Sequence, residues 1–152
     1  MTTAQEIQSF VCQLVGKRLV QFGCEADILE FLFSDHLALH AMGLSRVICG
    51  GELLVTTFDY QSWDNLDSTH NDEWINAERI RDKIVGGRVA AVKLNAVHDL
   101  MIELDNGYLI ECLIANADPH YAEEREQWVL FEHTEDRSGR FLSAANKSIE
   151  FS

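Results

Sequence analysis

The residues best suited to do chemistry in this chain are carboxylates that lie among aromatic side chains. After Asp59 the next basic residue is Arg79. Aromatic rings bury area at protein interfaces, and neighbouring acids pair with Arg or Lys of a partner, so this first acidic segment predicts a protein-binding surface. In the alternative interpretation Trp74 belongs to a helix stripe, Trp63 covers a loop and the acids are merely solvated. The predicted contact residues are Asp59, Tyr60, Trp63, Asp64, Asp67, Asp72 and Glu73.

A second acidic segment follows near residue 120. Asp118-Pro119 has the form of a helix start, with an N-cap residue followed by proline at the first helical position. Acids after such a start suit the helix dipole, which explains part of their charge without any partner. The second candidate surface consists of Asp118, Glu123, Glu124 and Glu126.

Catalytic and metal-binding signatures are missing from the sequence. It contains no G-x-S-x-G, H-E-x-x-H, P-loop or G-x-G-x-x-G pattern. His36 and His40 have a metal-like spacing only on a helix. On the strand predicted there they lie roughly 13 Å apart, too far for one ion. We therefore predict no catalytic residue, no metal site and no cofactor, and a protein that is not an enzyme.

The charge of the chain indicates the class of partner. There are 25 acidic and 12 basic residues, a net charge of −13. Such a chain repels phosphate backbones, which argues against direct nucleic-acid binding, and it attracts basic proteins. No basic-then-apolar leader and no long apolar stretch occur, and the four cysteines are scattered, so we expect a cytoplasmic protein with reduced thiols and no membrane contact.

The elements that must position these residues occur twice along the chain. Leu14-Val15-Gly16-Lys17-Arg18-Leu19 is matched 70 positions later by Ile84-Val85-Gly86-Gly87-Arg88-Val89. An amphipathic helix precedes each copy: the first is predicted from Thr3 to Val15, and the second is capped by Asn71. The repetition indicates duplication.

Period-2 alternation predicts strands after each helix. Leu29, Phe31 and Phe33 alternate in the first copy, and Leu100, Ile102 and Leu104 alternate in the second. Asn106-Gly107 predicts a two-residue type I′ hairpin turn, whereas its counterpart near Ser34-Asp35-His36 lacks the glycine. The further strands predicted are 37–41, 53–58, 108–114 and 128–133.

These elements predict an α+β fold in which two helix-plus-four-antiparallel-strand units pack as one domain. The domain spans 1–152, with repeats at about 3–60 and 71–134 and a C-terminal extension at 135–152. One helix on four strands offers too little core to be stable alone, which favours a single domain over two.

In size, charge and architecture the chain resembles the immunity proteins of bacterial polymorphic-toxin and contact-dependent growth inhibition systems. This resemblance implies tight binding to one cognate toxin, frequently a basic nuclease, whose active site the acids and aromatics block. In outline the duplication is also similar to Whirly-type folds, whose members bind nucleic acid, although the charge of −13 argues against that activity here. Two alternatives remain open: a homo-oligomeric assembly module, and a small-ligand binder or enzyme with its site between the repeats.

Overall fold

The structure, a computed structural model, describes residues 3–117, 125–145 and 148–152. It is a mixed α/β fold in which antiparallel sheets predominate and helices are few. The helices are α1 (Ala4–Cys12) and α2 (Asp72–Ile84), with a 3₁₀ helix (Thr57–Ser62) between them. The strands are β1 (Leu19–Glu25), β2 (Ile28–Phe33), β3 (Leu37–Ala41), β4 (Leu44–Cys49), β5 (Glu52–Thr56), β6 (Val89–Leu94), β7 (Leu100–Leu104), β8 (Tyr108–Leu113), β9 (Trp128–Glu132), β10 (Phe141–Ala144) and β11 (Ile149–Phe151).

Helix α1 begins where its cap predicts but is shorter than expected. The Thr3 side chain accepts a hydrogen bond from the Glu6 backbone N at 3.1 Å, which satisfies one of the free N–H groups of the first turn. The helix ends at Cys12, three residues before the predicted Val15, because hydrogen bonds to i−3 carbonyls tighten the turns that follow.

Helix α2 begins at the predicted cap, where Asn71 Oδ1 accepts from the Trp74 backbone N at 2.8 Å. The apolar spacing predicts a buried stripe of Trp74, Ala77, Ile80 and Ile84. Ala77, Ile80 and Ile84 are buried as predicted, together with Glu73, whereas Trp74 is half-buried. A carboxylate therefore occupies the place on the core-facing side that the apolar pattern assigned to an indole.

Loss of the α2 cap should destabilise the protein more than loss of the α1 cap. Asn71 is 1% exposed, and its Nδ2 also donates to the Ser68 carbonyl at 2.6 Å. Asn71→Ala should therefore lower the free energy of unfolding by about 1–2 kcal/mol in urea denaturation. Thr3→Ala is the matched control, since it removes one exposed cap bond and should cost less. Equal losses of unfolding free energy in the two variants would show that burial of the Asn71 cap adds nothing to its stabilising effect.

Two antiparallel sheets form the body of the protein. One has the strand order β1-β2-β3-β9-β10-β11 and the other β5-β4-β8-β7-β6. The first half contributes the hairpin series β1-β2-β3 to the six-stranded sheet, and the second half contributes β6-β7-β8 to the five-stranded sheet. The following strand then crosses over in each case: β4 pairs with β8, and β9 pairs with β3.

This exchange departs from the predicted arrangement of four consecutive strands in each unit. The fourth strands expected at 53–58 and 128–133 exist as β5 and β9, but β4, which follows β3 directly, was not predicted as a strand. The 135–152 extension supplies β10 and β11, which continue the six-stranded sheet beyond β9. The duplication of helix-plus-four-strand units remains a prediction.

The two repeated segments lie side by side in antiparallel orientation. Gly16 N donates to the Val89 carbonyl and Gly86 N donates to the Leu19 carbonyl, each at 2.8 Å. Both glycines have positive φ, +87° and +99°, a backbone conformation that disfavours side chains with a Cβ. Their recurrence in the sequence thus has a local conformational cause.

The hairpin turns show the opposite of the predicted asymmetry. Only Gly107 has positive φ in the β7–β8 turn, so the predicted type I′ turn, which needs two such residues, is wrong. In the glycine-free β2–β3 turn both Asp35 and His36 have positive φ. Lys17 Nζ lies 2.6 Å from Asp35 Oδ2, and this ion pair connects the turn to the first repeated segment.

A single hydrophobic core contains side chains from both sheets and both helices. The alternating residues predicted to face inward do so: Leu29, Phe31 and Phe33 are at most 1% exposed. Each such side chain stabilises the fold by roughly 1.5–3 kcal/mol relative to an exposed one. Neither α1 nor α2 is long and apolar enough to cross a bilayer.

Candidate binding surface

The 3₁₀ helix and the loop that leads from it into α2 form an acidic surface with exposed apolar side chains. Phe58 is 63% exposed and Leu66 is 89% exposed. Asp64 and Asp67 flank Leu66 along the chain, and both are exposed, as is Asp72. We call this the acidic loop surface and define it as Phe58, Tyr60, Trp63, Asp64, Leu66, Asp67 and Asp72.

The carboxylates of this surface fold the loop as well as charge it. Asp64 accepts from the backbone N of Leu66 at 2.9 Å and lies 3.0 Å from His70 Nδ1. Asp67 accepts from the backbone N of Thr69 at 2.9 Å. These hydrogen bonds lower the pKa of Asp64 and of Asp67. Both carboxylates are therefore charged at neutral pH and face solvent.

The aromatic part of the surface is fixed by one hydrogen bond and one ring contact. Trp63 Nε1 donates to the Asp67 carbonyl at 2.7 Å, and the Trp63 and Tyr60 rings lie 5.2 Å apart between centroids. Both side chains are half-buried, so each presents part of a ring to solvent. Fixed aromatic groups contribute contact area to a partner at a low entropy cost.

Asp59 has a structural position that the sequence interpretation did not anticipate. Its Oδ2 accepts from the Thr56 backbone N and from Asn76 Nδ2, each at 3.1 Å. The carboxylate completes a capping box for the 3₁₀ helix and ties that helix to α2. Asp59 thus holds the acidic loop surface in place. Its Oδ2 atom already accepts two hydrogen bonds from within the chain.

Glu73 was predicted to contact a partner, and the structure contradicts that role because its side chain is fully buried. One carboxyl oxygen accepts from Cys24 Sγ of β1 at 3.0 Å, while the other has no hydrogen-bond partner among the described residues. Burial raises the pKa of Glu73 to about 8, and the charges of Asp27 and Asp59 add to this effect. Near neutral pH the group is mostly uncharged.

An open cavity of about 610 Å³ adjoins the acidic loop surface. Phe58 and Tyr60 of that surface form part of its wall, and the crossover at Met42–Leu44 forms another part. The crossover is held by the backbone N atoms of Met42 and Gly43, which both donate to the Gln127 carbonyl. The cavity extends the surface from a charged loop into a recess that is large enough for a partner's side chain.

The second acidic segment lies largely outside the described residues. Asp118, Glu123 and Glu124 belong to 118–124, as does the predicted helix start at Asp118-Pro119. Glu126 is exposed, lines the cavity and accepts a hydrogen bond from Ser143 Oγ. Glu126 is the one member of this candidate surface within the described residues, and it shares the cavity wall with Phe58 and Tyr60.

The described residues contain no group of potential metal ligands, and two of their thiols are buried. In 3–117, 125–145 and 148–152 no three His, Cys, Asp or Glu side chains are grouped so as to hold a metal ion. Burial raises the pKa of the Cys24 and Cys112 thiols, which keeps both protonated and poorly nucleophilic.

The sequence analysis did not identify Phe58 and Leu66 of the acidic loop surface, nor Cys24, which contacts the buried Glu73. The first two carried no signal, because an apolar residue in a loop is normally assigned to the core. For Cys24 the signal was weak: its position in the strand that follows the first repeated segment indicates only that it lies near the core. Burial of Glu73 could have been foreseen from its spacing of 4, 7 and 11 residues to Ala77, Ile80 and Ile84, which places it on their face of the helix.

Comparison with known proteins adds no relative on which this site could be tested: no family model, no curated protein and no solved structure matches the chain.

Proposed function

We propose that this chain is a non-enzymatic binding protein that neutralises a basic protein partner, in the manner of an immunity protein that blocks a bacterial toxin. The observation that carries the proposal is the acidic loop surface, where exposed Phe58 and Leu66 lie among charged carboxylates. No lysine or arginine occurs between Arg46 and Arg79 to offset that charge. Apolar anchors beside a cluster of carboxylates fit a partner that carries apolar and basic side chains together.

The proposed binding mode combines charge attraction, aromatic contact and insertion into the cavity. Long-range attraction from the net charge of −13 accelerates encounter with the basic partner. The half-buried rings of Tyr60 and Trp63 and the exposed Phe58 then provide the apolar contact that slows dissociation. The adjoining cavity receives one long side chain of the partner.

The test separates charge from loop structure. Asp64→Asn with Asp67→Asn keeps the acceptor oxygens that fold the loop but removes two charges. The partner is captured from the native cell with the unchanged protein, identified and purified. Its association rate with the double variant should fall roughly three- to tenfold at low salt, and the salt dependence should become flatter.

A matched control places the same charge change elsewhere. Glu103→Gln with Glu150→Gln alters two exposed carboxylates on β7 and β11, away from the loop. This variant should associate at nearly the wild-type rate. If both double variants slow association equally, net charge alone accounts for the effect and the acidic loop surface is not the contact site.

We also infer that the chain arose by duplication and acts in the cytoplasm. The reciprocal bonds of Gly16 and Gly86 and the reciprocal crossovers of β4 and β9 support the first inference. The second is supported by the free state of all four cysteines, which suits a reducing compartment.

A further inference from the structure

The first turn of α2 joins the acidic loop surface to a buried acidic group. On its outer side the Asp72 backbone N donates to Ser62 Oγ at 2.8 Å, and Asn76 Nδ2 donates to Asp59. On its inner side Glu73 is 0% exposed against Cys24 of β1. A change in how this turn packs on β1 therefore reaches the loop through direct hydrogen bonds.

Burial and the neighbouring carboxylates oppose the ionisation of Glu73. Helix α2 packs against β1, the 3₁₀ helix and β5. Cys24 comes from β1, Asp27 from the β1–β2 turn, and Asp59 from the 3₁₀ helix; among the described residues no basic group acts on the carboxyl. Tyr60 of the 3₁₀ helix and Glu30 of β2 lie within electrostatic reach of the Glu73–Cys24 pair, whereas Glu52 of β5 does not act on it.

Within the part of the chain that the structure describes, only one hydrogen bond would stabilise a Glu73 carboxylate. Cys24 Sγ donates to one oxygen, and the other oxygen is buried with no partner among these residues. A buried carboxylate with a single weak donor and neighbouring negative charges is costly, so ionisation favours states in which water reaches the group. Water can reach it if the first turn of α2 moves away from β1.

We propose that Glu73 is a pH switch for the acidic loop surface: its ionisation releases the first turn of α2 from β1 and loosens the loop that binds the partner. The inference rests on the proposed function for its biological meaning, but the switch itself belongs to the protein alone. The direction follows from the raised pKa of Glu73, which keeps the surface ordered at neutral pH and loosens it above about pH 8.

The three tryptophans allow a local test of the switch. Trp63 and Trp74 lie in the loop and in α2, whereas Trp128 is buried in β9. In 5-fluorotryptophan-labelled protein, ¹⁹F NMR signals of Trp63 and Trp74 should shift between pH 6.5 and 9.5 with one midpoint near 8. The Trp128 signal should stay constant over this range.

Variants assign the transition to Glu73. Glu73→Gln should abolish it, and Glu78→Gln, a half-buried acid on the same helix paired with Arg81, should leave it unchanged. Asp27→Asn should lower the midpoint, because the Asp27 charge raises the pKa of Glu73. A transition that persists in Glu73→Gln, or the absence of any transition in the wild type, would overturn the proposal.

A binding measurement then connects the switch to the surface. The probe is an N-acetylated synthetic peptide of alternating lysine and leucine, whose charge changes little between pH 7 and 9 because its α-amino group is blocked. Its affinity for the wild type should fall at least about threefold over this range, and that for Glu73→Gln should not. A fall shared by both proteins would count against the switch. A peptide that binds at neither pH would count against the acidic loop surface, while the NMR transition decides on Glu73 separately.

Discussion

The free energy of unfolding is expected to decrease as the pH rises from about 4.5 to about 8, and Glu73→Gln is expected to remove most of that decrease. The reason is the difference between the folded pKa of about 8 and the ordinary value of 4.5. Between these values the native state retains a proton that the unfolded chain has lost. Each pH unit then costs up to about 1.4 kcal/mol of stability.

The sign of this effect is fixed by linkage. Below pH 4.5 both states hold the proton, and the contribution of Glu73 to stability is complete. It is lost as the pH approaches 8 and changes no further above that value. The acids whose pKa is lowered, such as Asp35 and Glu132, act in the opposite direction, but they do so as the pH falls below their ordinary values near 4.

Urea denaturation at pH 5, 6, 7, 8 and 9 measures the effect, with linear extrapolation at each pH. Glu73→Gln should be less pH-dependent than the wild type and relatively more stable at the alkaline end. Glu78→Gln controls for the loss of one acid from the same helix. Parallel wild-type and Glu73→Gln curves would mean that Glu73 is ionised in the native state throughout, contrary to its environment.

Local signals in the sequence predicted the elements well, because those signals depend on a few neighbouring residues. The caps Thr3 and Asn71 marked both helix starts, and alternation identified the inward faces of β2 and β7. Where the local signal was ambiguous the prediction failed. Asn106-Gly107 is compatible with more than one turn, and the structure uses positive φ only at the glycine.

The exchange of strands between the two sheets could not be predicted in the same way. It depends on the short crossover at Met42–Gly43, which carries the chain from β3 of one sheet to β4 of the other. Nothing in the hydrophobic pattern distinguishes a strand that pairs with its predecessor from one that crosses to another sheet, since both present alternating faces. Pairing is a property of the whole fold.

The sequence located the acidic segment but did not show which of its acids are exposed. The acidic segment was visible as composition, and Asp64, Asp67 and Asp72 are exposed as expected. Asp59 and Glu73 differ because their roles depend on what lies opposite them. A capping box engages Asp59, and a thiol from β1 faces Glu73. The sequence shows that acids are concentrated there, but only the packing shows which acids face solvent.

Trp128→Ala is expected to destabilise the protein by about 3–5 kcal/mol. Trp128 is 0% exposed at the start of β9, the strand that crosses from the second half into the six-stranded sheet. Its partners in the neighbouring strands are Ala41 and Ala144, both fully buried, and their small side chains leave room for the indole. Truncation therefore opens a large cavity that neither alanine can fill.

The indole also has a polar role that a second substitution isolates. Trp128 Nε1 donates at 2.8 Å to the carbonyl of His98, in the loop between β6 and β7 of the other sheet. Trp128→Phe keeps most of the apolar contact but leaves that carbonyl unpaired, so it should cost about 1–3 kcal/mol. Val129→Ala, at the neighbouring half-buried position, controls for the strand and should cost less than either Trp128 variant.

Urea midpoints of the three variants therefore test how the two sheets are joined. If Trp128→Phe is nearly as damaging as Trp128→Ala, the hydrogen bond to His98 is the main link between β9 and the five-stranded sheet. If Trp128→Phe is nearly neutral, burial of the aromatic ring in the shared core, and not the hydrogen bond, carries the junction. A small loss in Trp128→Ala would contradict both, because a fully buried indole at the crossover strand would then contribute little to the core that the two halves share.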